Sequence, residues 1–312
     1  MLLKHLINPK PSIIVFFGFF CVFFSAFPLV QFDIGIVFNH PYLHPLIVLF
    51  LSIASLFFLS TGINNMIYEK NIIRKENLVV GFVFILLSSP FINIPEAWIS
   101  FFLLLFAFNF LLESYQKELP FSQFYNASMI LAIITFLFPG LFWLLFLLII
   151  GGISYSNINW RIICTIILGF ATPFLFYFVF VFLIELPLRI PEFFNFSWPR
   201  FLSFKETDLS QKIWLAIFLL VVMFSFFELF SWLYKKSIKS RRTFITIIWF
   251  FIITILISIS FGWKYLYFST LPLSIIIGNY FVYTKKKRIA NGLFFLLVIS
   301  SFYYKYMIIF NM

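Results

Sequence analysis

The sequence predicts an all-α fold: a polytopic bundle of about eleven transmembrane helices, with the N-terminus cytoplasmic and the C-terminus periplasmic. Three observations carry this. Hydrophobic residues make up 63% of the chain and charged residues only 11%, against roughly 25% charged in a soluble domain. The apolar residues come in runs suited to a hydrocarbon core about 30 Å thick, which takes roughly 20 helical residues to cross. The basic residues lie between those runs, concentrated on alternate loops.

The first run, 12–30, follows Lys4, His5 and Lys10. It is longer than a signal-peptide core of about 7 to 15 residues and reads as an uncleaved span. Further runs lie at 45–62, 78–91, 96–113, 127–138, 141–153, 161–184, 212–234, 243–262, 267–283 and 290–305. Pro and Asn mark most of the breaks. The pair 127–138 and 141–153 is short for two crossings and meets at Pro139-Gly140. One kinked helix or a re-entrant hairpin shielded by its neighbours would both fit. A single kinked helix would turn the later loops over and put the clusters 235–242 and 285–288 outside, against the positive-inside rule. With the N-terminus inside, 16 of the 22 basic residues face the cytoplasm. The chain therefore reads as one transmembrane domain, 1–312, in a bacterial inner membrane. Its one longer periplasmic loop, 185–212, carries Pro187, Pro191 and Pro199 with Phe193, Phe194, Phe196, Trp198 and Phe201. That loop is an interfacial segment or a lid over a lipid opening.

The net charge of +11 does not point to nucleic acid, because it is parcelled into short loop clusters rather than gathered on one segment. Cys21 and Cys164 both fall inside runs and form no disulfide framework. No internal repeat is visible, and the short broken pair has no counterpart in the second half, which argues against an inverted-repeat transporter.

Ionisable groups at or within the membrane are costly and are functional candidates by default. On the outer face lie Asp33, His40 and His44 in the first loop and Glu96 in the second. His40 and His44 would share a face only on a helix that Pro41 and Pro45 oppose, so no metal site is expected. Also outer-facing is Trp263-Lys264-Tyr265-Leu266-Tyr267, followed by Leu271-Pro272. Lys264 there is placed to meet a lipid phosphate, with the tyrosines as interfacial anchors. Deeper in the membrane are Glu228, Asn109 one helical turn from Glu113, and Asn279. Glu228 lies seven residues before Lys235, about 10 Å along a helix, and so needs a local partner such as Asn109 or Asn279.

Two resemblances follow. Asn64-Asn65 after the second run, the apolar helix Phe102–Leu112 after a Pro-rich turn, and Phe138-Pro139-Gly140-Leu141 resemble an uncharacterised family of bacterial polytopic membrane proteins of about this length. The chain is also similar, at scattered positions, to the GT-C glycosyltransferases that use polyprenyl-phosphate sugars. Asp33 and Glu96 look like the acidic residues those enzymes carry in their first two outer loops. Lys264, Tyr265, Tyr267, Leu271 and Pro272 look like the basic-Tyr and Leu-Pro pattern before a late span. The first outer loop, about 14 residues long, is shorter than that family's, and no large soluble domain follows the spans.

The resemblance implies a lipid-linked sugar transferase with a polyprenyl-phosphate lipid as partner. Asp33 would act as base or help hold a divalent metal, Glu96 would orient the acceptor, and Lys264 with Tyr265, Tyr267, His40 and His44 would bind substrate. The alternatives are a non-catalytic subunit with a membrane-protein partner, or a proton-coupled transporter built on Glu228, Asn109 and Asn279. No cofactor is assigned.

Overall fold

The computed structural model describes residues 2–310 apart from 8, 31–33, 39, 41, 92–93, 186, 189 and 194–208. Among the described residues every regular element is a helix. In order these are α1 (Leu2–Ile7), α2 (Pro11–Ala26), α3 (Ile34–Val37), α4 (Pro45–Glu69), α5 (Val79–Leu87), α6 (Pro95–Glu113), α7 (Phe121–Thr135), α8 (Leu145–Ser154), α9 (Trp160–Leu183), α10 (Leu209–Leu233), α11 (Ile238–Phe261), α12 (Thr270–Tyr283) and α13 (Lys287–Phe310). Tight 3₁₀ turns occupy Pro139–Leu144 and Trp263–Ser269.

Each of the eleven apolar runs overlaps at least one of these helices, some with ragged ends. Seven helical stretches are long and apolar enough to cross a bilayer: Pro11–Leu29, α4, α6, α9, α10, α11 and Trp263–Tyr283. The nine residues of α5 reach about 14 Å at 1.5 Å per residue, half a hydrocarbon core. Segment 127–153 is a hairpin. The chain turns after α7 at Phe136–Phe138, and a Cβ on Gly152, late in α8, would lie 3.4 Å from the ring of Phe124, early in α7.

The chain divides into two compact units. Unit 1 comprises Met1–Pro95, Ser203–Lys236 and Thr270–Met312; unit 2 comprises Glu96–Leu202 and Ser237–Ser269.

In unit 1 the core is built around α5, all nine residues of which are buried. A helix so placed must find partners for its first N–H groups without water. Asn77 Oδ1 accepts from Val79 and Val80, and Asn64 Oδ1, reaching across from α4, accepts from the Gly81 N–H at 3.1 Å. A Cβ at Gly81 would meet the Ser60 carbonyl oxygen at 2.7 Å, and one at Gly278 on α12 would meet Val80 Cγ2 at 2.5 Å. Missing side chains thus let α4 and α12 close on α5 from two directions. In unit 2 the closest helix pair is α7 with α9. There a Cβ at Gly169 would lie 2.6 Å from the Tyr125 carbonyl, and the Tyr125 and Thr172 hydroxyls share a hydrogen bond of 3.0 Å. A Cβ at Gly151 of α8 would lie 2.7 Å from Leu111 of α6.

Candidate functional site

One end of unit 2 collects several of the predicted site residues. α11 stops at Gly262, whose φ of +105° suits glycine alone, and the chain enters the turn Trp263–Ser269. Lys264 is exposed, Tyr265 half-buried, and Tyr267 only 1% exposed. The Tyr265 hydroxyl accepts a hydrogen bond from the Gly140 N–H at 3.3 Å. A Cβ at Gly140 would fall 2.8 Å from the Phe261 ring and 2.9 Å from that of Tyr265, so this contact needs glycine. Phe138 packs edge-on against Tyr265 and Phe268, with centroids at 5.5 and 5.0 Å. Tyr267 lies 5.0 Å from Phe101 of α6.

Glu96 is exposed in the first turn of α6, where the helix dipole favours an acid. It precedes Phe101 by five residues, about 7.5 Å along the axis. Glu96, the Phe138-Pro139-Gly140 tip and the 264–267 turn therefore share one end of the unit. From the same tip an apolar groove of about 340 Å³ runs between Trp143, Phe146 and Ile150 on one side and Ile253, Leu256, Ile257, Ser260 and Phe261 of α11 on the other. Phe261 both lines the groove and packs on Tyr265 at 5.5 Å.

Asn109 lies toward the other end of α6, where its amide donates to Glu113 Oε1 at 3.0 Å. Near it the Asn157 amide donates to the Ser114 carbonyl at 2.6 Å.

His40, His44, Glu228 and Asn279 belong to unit 1. Asp33 lies outside the described residues, as do Phe194, Phe196, Trp198, Pro199 and Phe201 of the long loop. His40 Nδ1 accepts from the Tyr42 N–H at 3.2 Å, and His44 Nδ1 accepts from the Leu46 N–H at 3.3 Å, capping α4. Among the described residues no three His, Cys, Asp or Glu side chains gather to hold a metal ion. Glu228 is half-buried on α10, close enough to Tyr280 of α12 to act on it electrostatically. Asn279 is 2% exposed, and among the described residues its Oδ1 has no hydrogen-bond partner.

Two features of unit 1 escaped sequence reasoning. Lys305, at the end of the run 290–305, is 2% exposed; its Nζ donates to the Phe24 carbonyl and sits 4.2 Å over the Phe24 ring. Lys236, read as a topology signal, lies 3.7 Å over the Trp232 ring and 4.2 Å over that of Tyr283, whose hydroxyl accepts from the Arg74 N–H at 3.1 Å. Burial, and then the nearby Arg74, push the Lys236 ammonium down to about 8. The spacing Trp232 to Lys236, one helical turn, is the signal that could have found the first of these contacts.

An all-α chain with seven helices long and apolar enough to cross a bilayer, and with apolar side chains over its outer surface, is a multi-pass membrane protein. The chain belongs to the family of unknown function DUF6427, matched over residues 12–312. No curated protein and no solved structure matches it.

Proposed function

We propose that the protein is a GT-C-like transferase of lipid-linked sugars, working at the periplasmic face of a bacterial inner membrane. This reading keeps the eleven apolar runs as membrane segments, some of them short or re-entrant, and the cytoplasmic N-terminus favoured by the basic loops. The observation that carries it is the apolar groove between α8 and α11, ending at the tip where Phe261, Tyr265 and the exposed Lys264 follow one another. A polyprenyl chain suits the groove, and a phosphate at its end suits Lys264.

In the transfer, the bond from the anomeric carbon to the phosphate oxygen breaks and its electron pair stays on the phosphate, where Lys264 offsets the growing charge. The acceptor hydroxyl forms the new bond to that carbon and gives its proton to a general base, the role that the resemblance implies for Asp33. Glu96 orients the acceptor. The test is incubation of the purified protein with polyprenyl-phosphate sugars and candidate acceptors. Transfer that disappears in Asp33→Asn and Lys264→Ala is expected. An intact Asp33→Asn enzyme, or no transfer with any donor, sinks the proposal.

A second reading, a non-catalytic subunit, rests on α9. Of its 24 residues only Ile162, Ile166, Gly169 and Val181 are buried, and Ile167, Leu168, Phe176 and Phe182 stand exposed. A partner helix would cover that face. Purification in mild detergent should then recover a stoichiometric membrane protein, whereas a partner-free monomer would count against it.

A further inference from the structure

A cavity of about 360 Å³ opens in unit 1 where α1, the segment before α5, and the junction of α12 with α13 meet. The Leu78 N–H donates to the Leu6 carbonyl at 2.9 Å and holds α1 against that segment. Three lysines from distant parts of the chain, Lys4, Lys75 and Lys287, line the cavity together with Asn291, while Leu3 and Phe281 supply apolar wall. Among the described residues that line it there is no carboxylate. The start of α13, a helix of 24 residues, contributes Lys287 and Ala290 from its first turn and Asn291 just beyond, so the positive end of its dipole lies at the same space.

Three lysines on one cavity wall favour an anion there, even with the Lys75 ammonium 5.8 Å over the Tyr283 ring. Apolar wall beside them suits an anion that carries a hydrocarbon stem. Basic pockets between membrane helices take phosphate headgroups on these grounds.

We infer that this cavity binds the phosphate of an anionic amphiphile, with Lys4, Lys75 and Lys287 around the phosphate and the stem against Leu3 and Phe281. The site lies in unit 1 and does not depend on the transferase reading of unit 2. Its phosphate comes from a membrane phospholipid or from a soluble phosphate ester, and the two sources are separable.

The full-length protein is placed in nanodiscs of phosphatidylcholine alone or of phosphatidylcholine with phosphatidylglycerol. Retained phosphatidylglycerol is counted by native mass spectrometry and thermal stability is followed alongside. A third arm adds glycerol 3-phosphate to the phosphatidylcholine discs. Two triple variants carry the same loss of charge: Lys4→Gln/Lys75→Gln/Lys287→Gln in the lining, and Lys285→Gln/Lys286→Gln/Arg288→Gln just outside it.

The lining variant should weaken phosphatidylglycerol retention roughly tenfold or more, and the outside variant by less than about twofold. Stabilisation by glycerol 3-phosphate that only the lining variant loses would assign the site to a soluble ester. Equal loss in both variants means diffuse attraction of a basic surface and overturns the site. So does the absence of any response to either phosphate source. Should the lining variant fail to fold, Lys287→Gln alone is compared with Lys286→Gln, with the same ordering expected.

Discussion

The two units handle buried polar groups differently. In unit 1, nitrogen-bearing side chains on one helix serve groups on another: Asn64 caps α5, Lys305 of α13 reaches the Phe24 carbonyl of α2, and Trp214 of α10 donates to Ser301 of α13 at 3.3 Å. In unit 2 the buried hydroxyls of α11 serve their own helix, with Thr243, Thr246, Thr254 and Ser258 each donating to the carbonyl four residues back. Asn109 likewise spends its amide on Glu113 of the same helix. Bonds within a helix survive when helices slide past each other; bonds between helices do not. Unit 1 therefore adds cross-helix bonds from Asn, Lys and Trp nitrogens to its close glycine contacts, whereas in unit 2 the bonds between elements come from Tyr125 with Thr172, Asn157 and Tyr265 while α11 keeps its hydroxyls to itself.

The largest test of that difference is Lys305. Lys305→Ala should cost unit 1 about 3 kcal/mol, because it opens a cavity and strips the Phe24 carbonyl of its donor. Lys305→Met fills the same volume without a buried charge and should recover most of that loss, as apolar replacements of buried ions commonly do. Thermal unfolding in detergent measures both. A Met variant as weak as the Ala variant would show that the ammonium itself holds α13 against α2.

Next in size are the glycine contacts, which both units share. Gly81→Ala in unit 1 and Gly169→Ala in unit 2 each press a methyl onto a backbone oxygen within 2.7 Å, and each should lose about 1–3 kcal/mol. Gly292→Ala meets nothing within 4 Å and should be neutral or slightly stabilising on α13. Equal stability of all three variants would remove close approach from the account of both units.

The asparagines sharpen the contrast at smaller scale. Asn64→Ala leaves the Gly81 N–H unpaired in an apolar core and should cost about 1–2 kcal/mol. Asn109→Ala breaks only a pair one turn apart on one helix and should cost about 0.2–0.5 kcal/mol. If the two costs were alike, the division between cross-helix and within-helix bonding would have no energetic content.

Much of the helical layout was legible because apolar run length and basic loop clusters are local signals. The places where legibility failed are those where a distant partner changes a residue's meaning. Asn64 and Asn65 read as a break after 62, yet α4 continues to Glu69, and the Asn64 side chain bonds the backbone of α5 instead of its own. Lys305 reads as an end-of-span cation, and only the carbonyl and ring of Phe24, 281 residues away in sequence, account for its burial. Lys4, Lys75 and Lys287 read as three separate loop charges until the fold brings them to one cavity. Of the candidate site, span counting already sets Glu96 and the 264–267 turn on one face, but no spacing encodes the Phe101–Tyr267 ring contact at 5.0 Å.

The smallest effect concerns Lys236, whose cross-helix contact in unit 1 is electrostatic. Its ammonium rests over Trp232 and Tyr283, and burial together with Arg74 lowers its proton affinity to about 8 from the ordinary lysine value of 10.5. Because the folded-state value is depressed, the folded protein sheds this proton more readily than the unfolded chain. Between about pH 8 and 10.5 its contribution to stability therefore rises with pH; below that window the folded state bears the cost of keeping the buried charge. Acylation of lysines read by mass spectrometry across a pH series should show Lys236 becoming reactive with a midpoint near 8. The same rings favour the charged form, so Trp232→Leu should move the midpoint lower still. A wild-type midpoint near 10.5 would mean that the rings offset burial and Arg74 in full, and one above it would make Lys236 a stabilised cation.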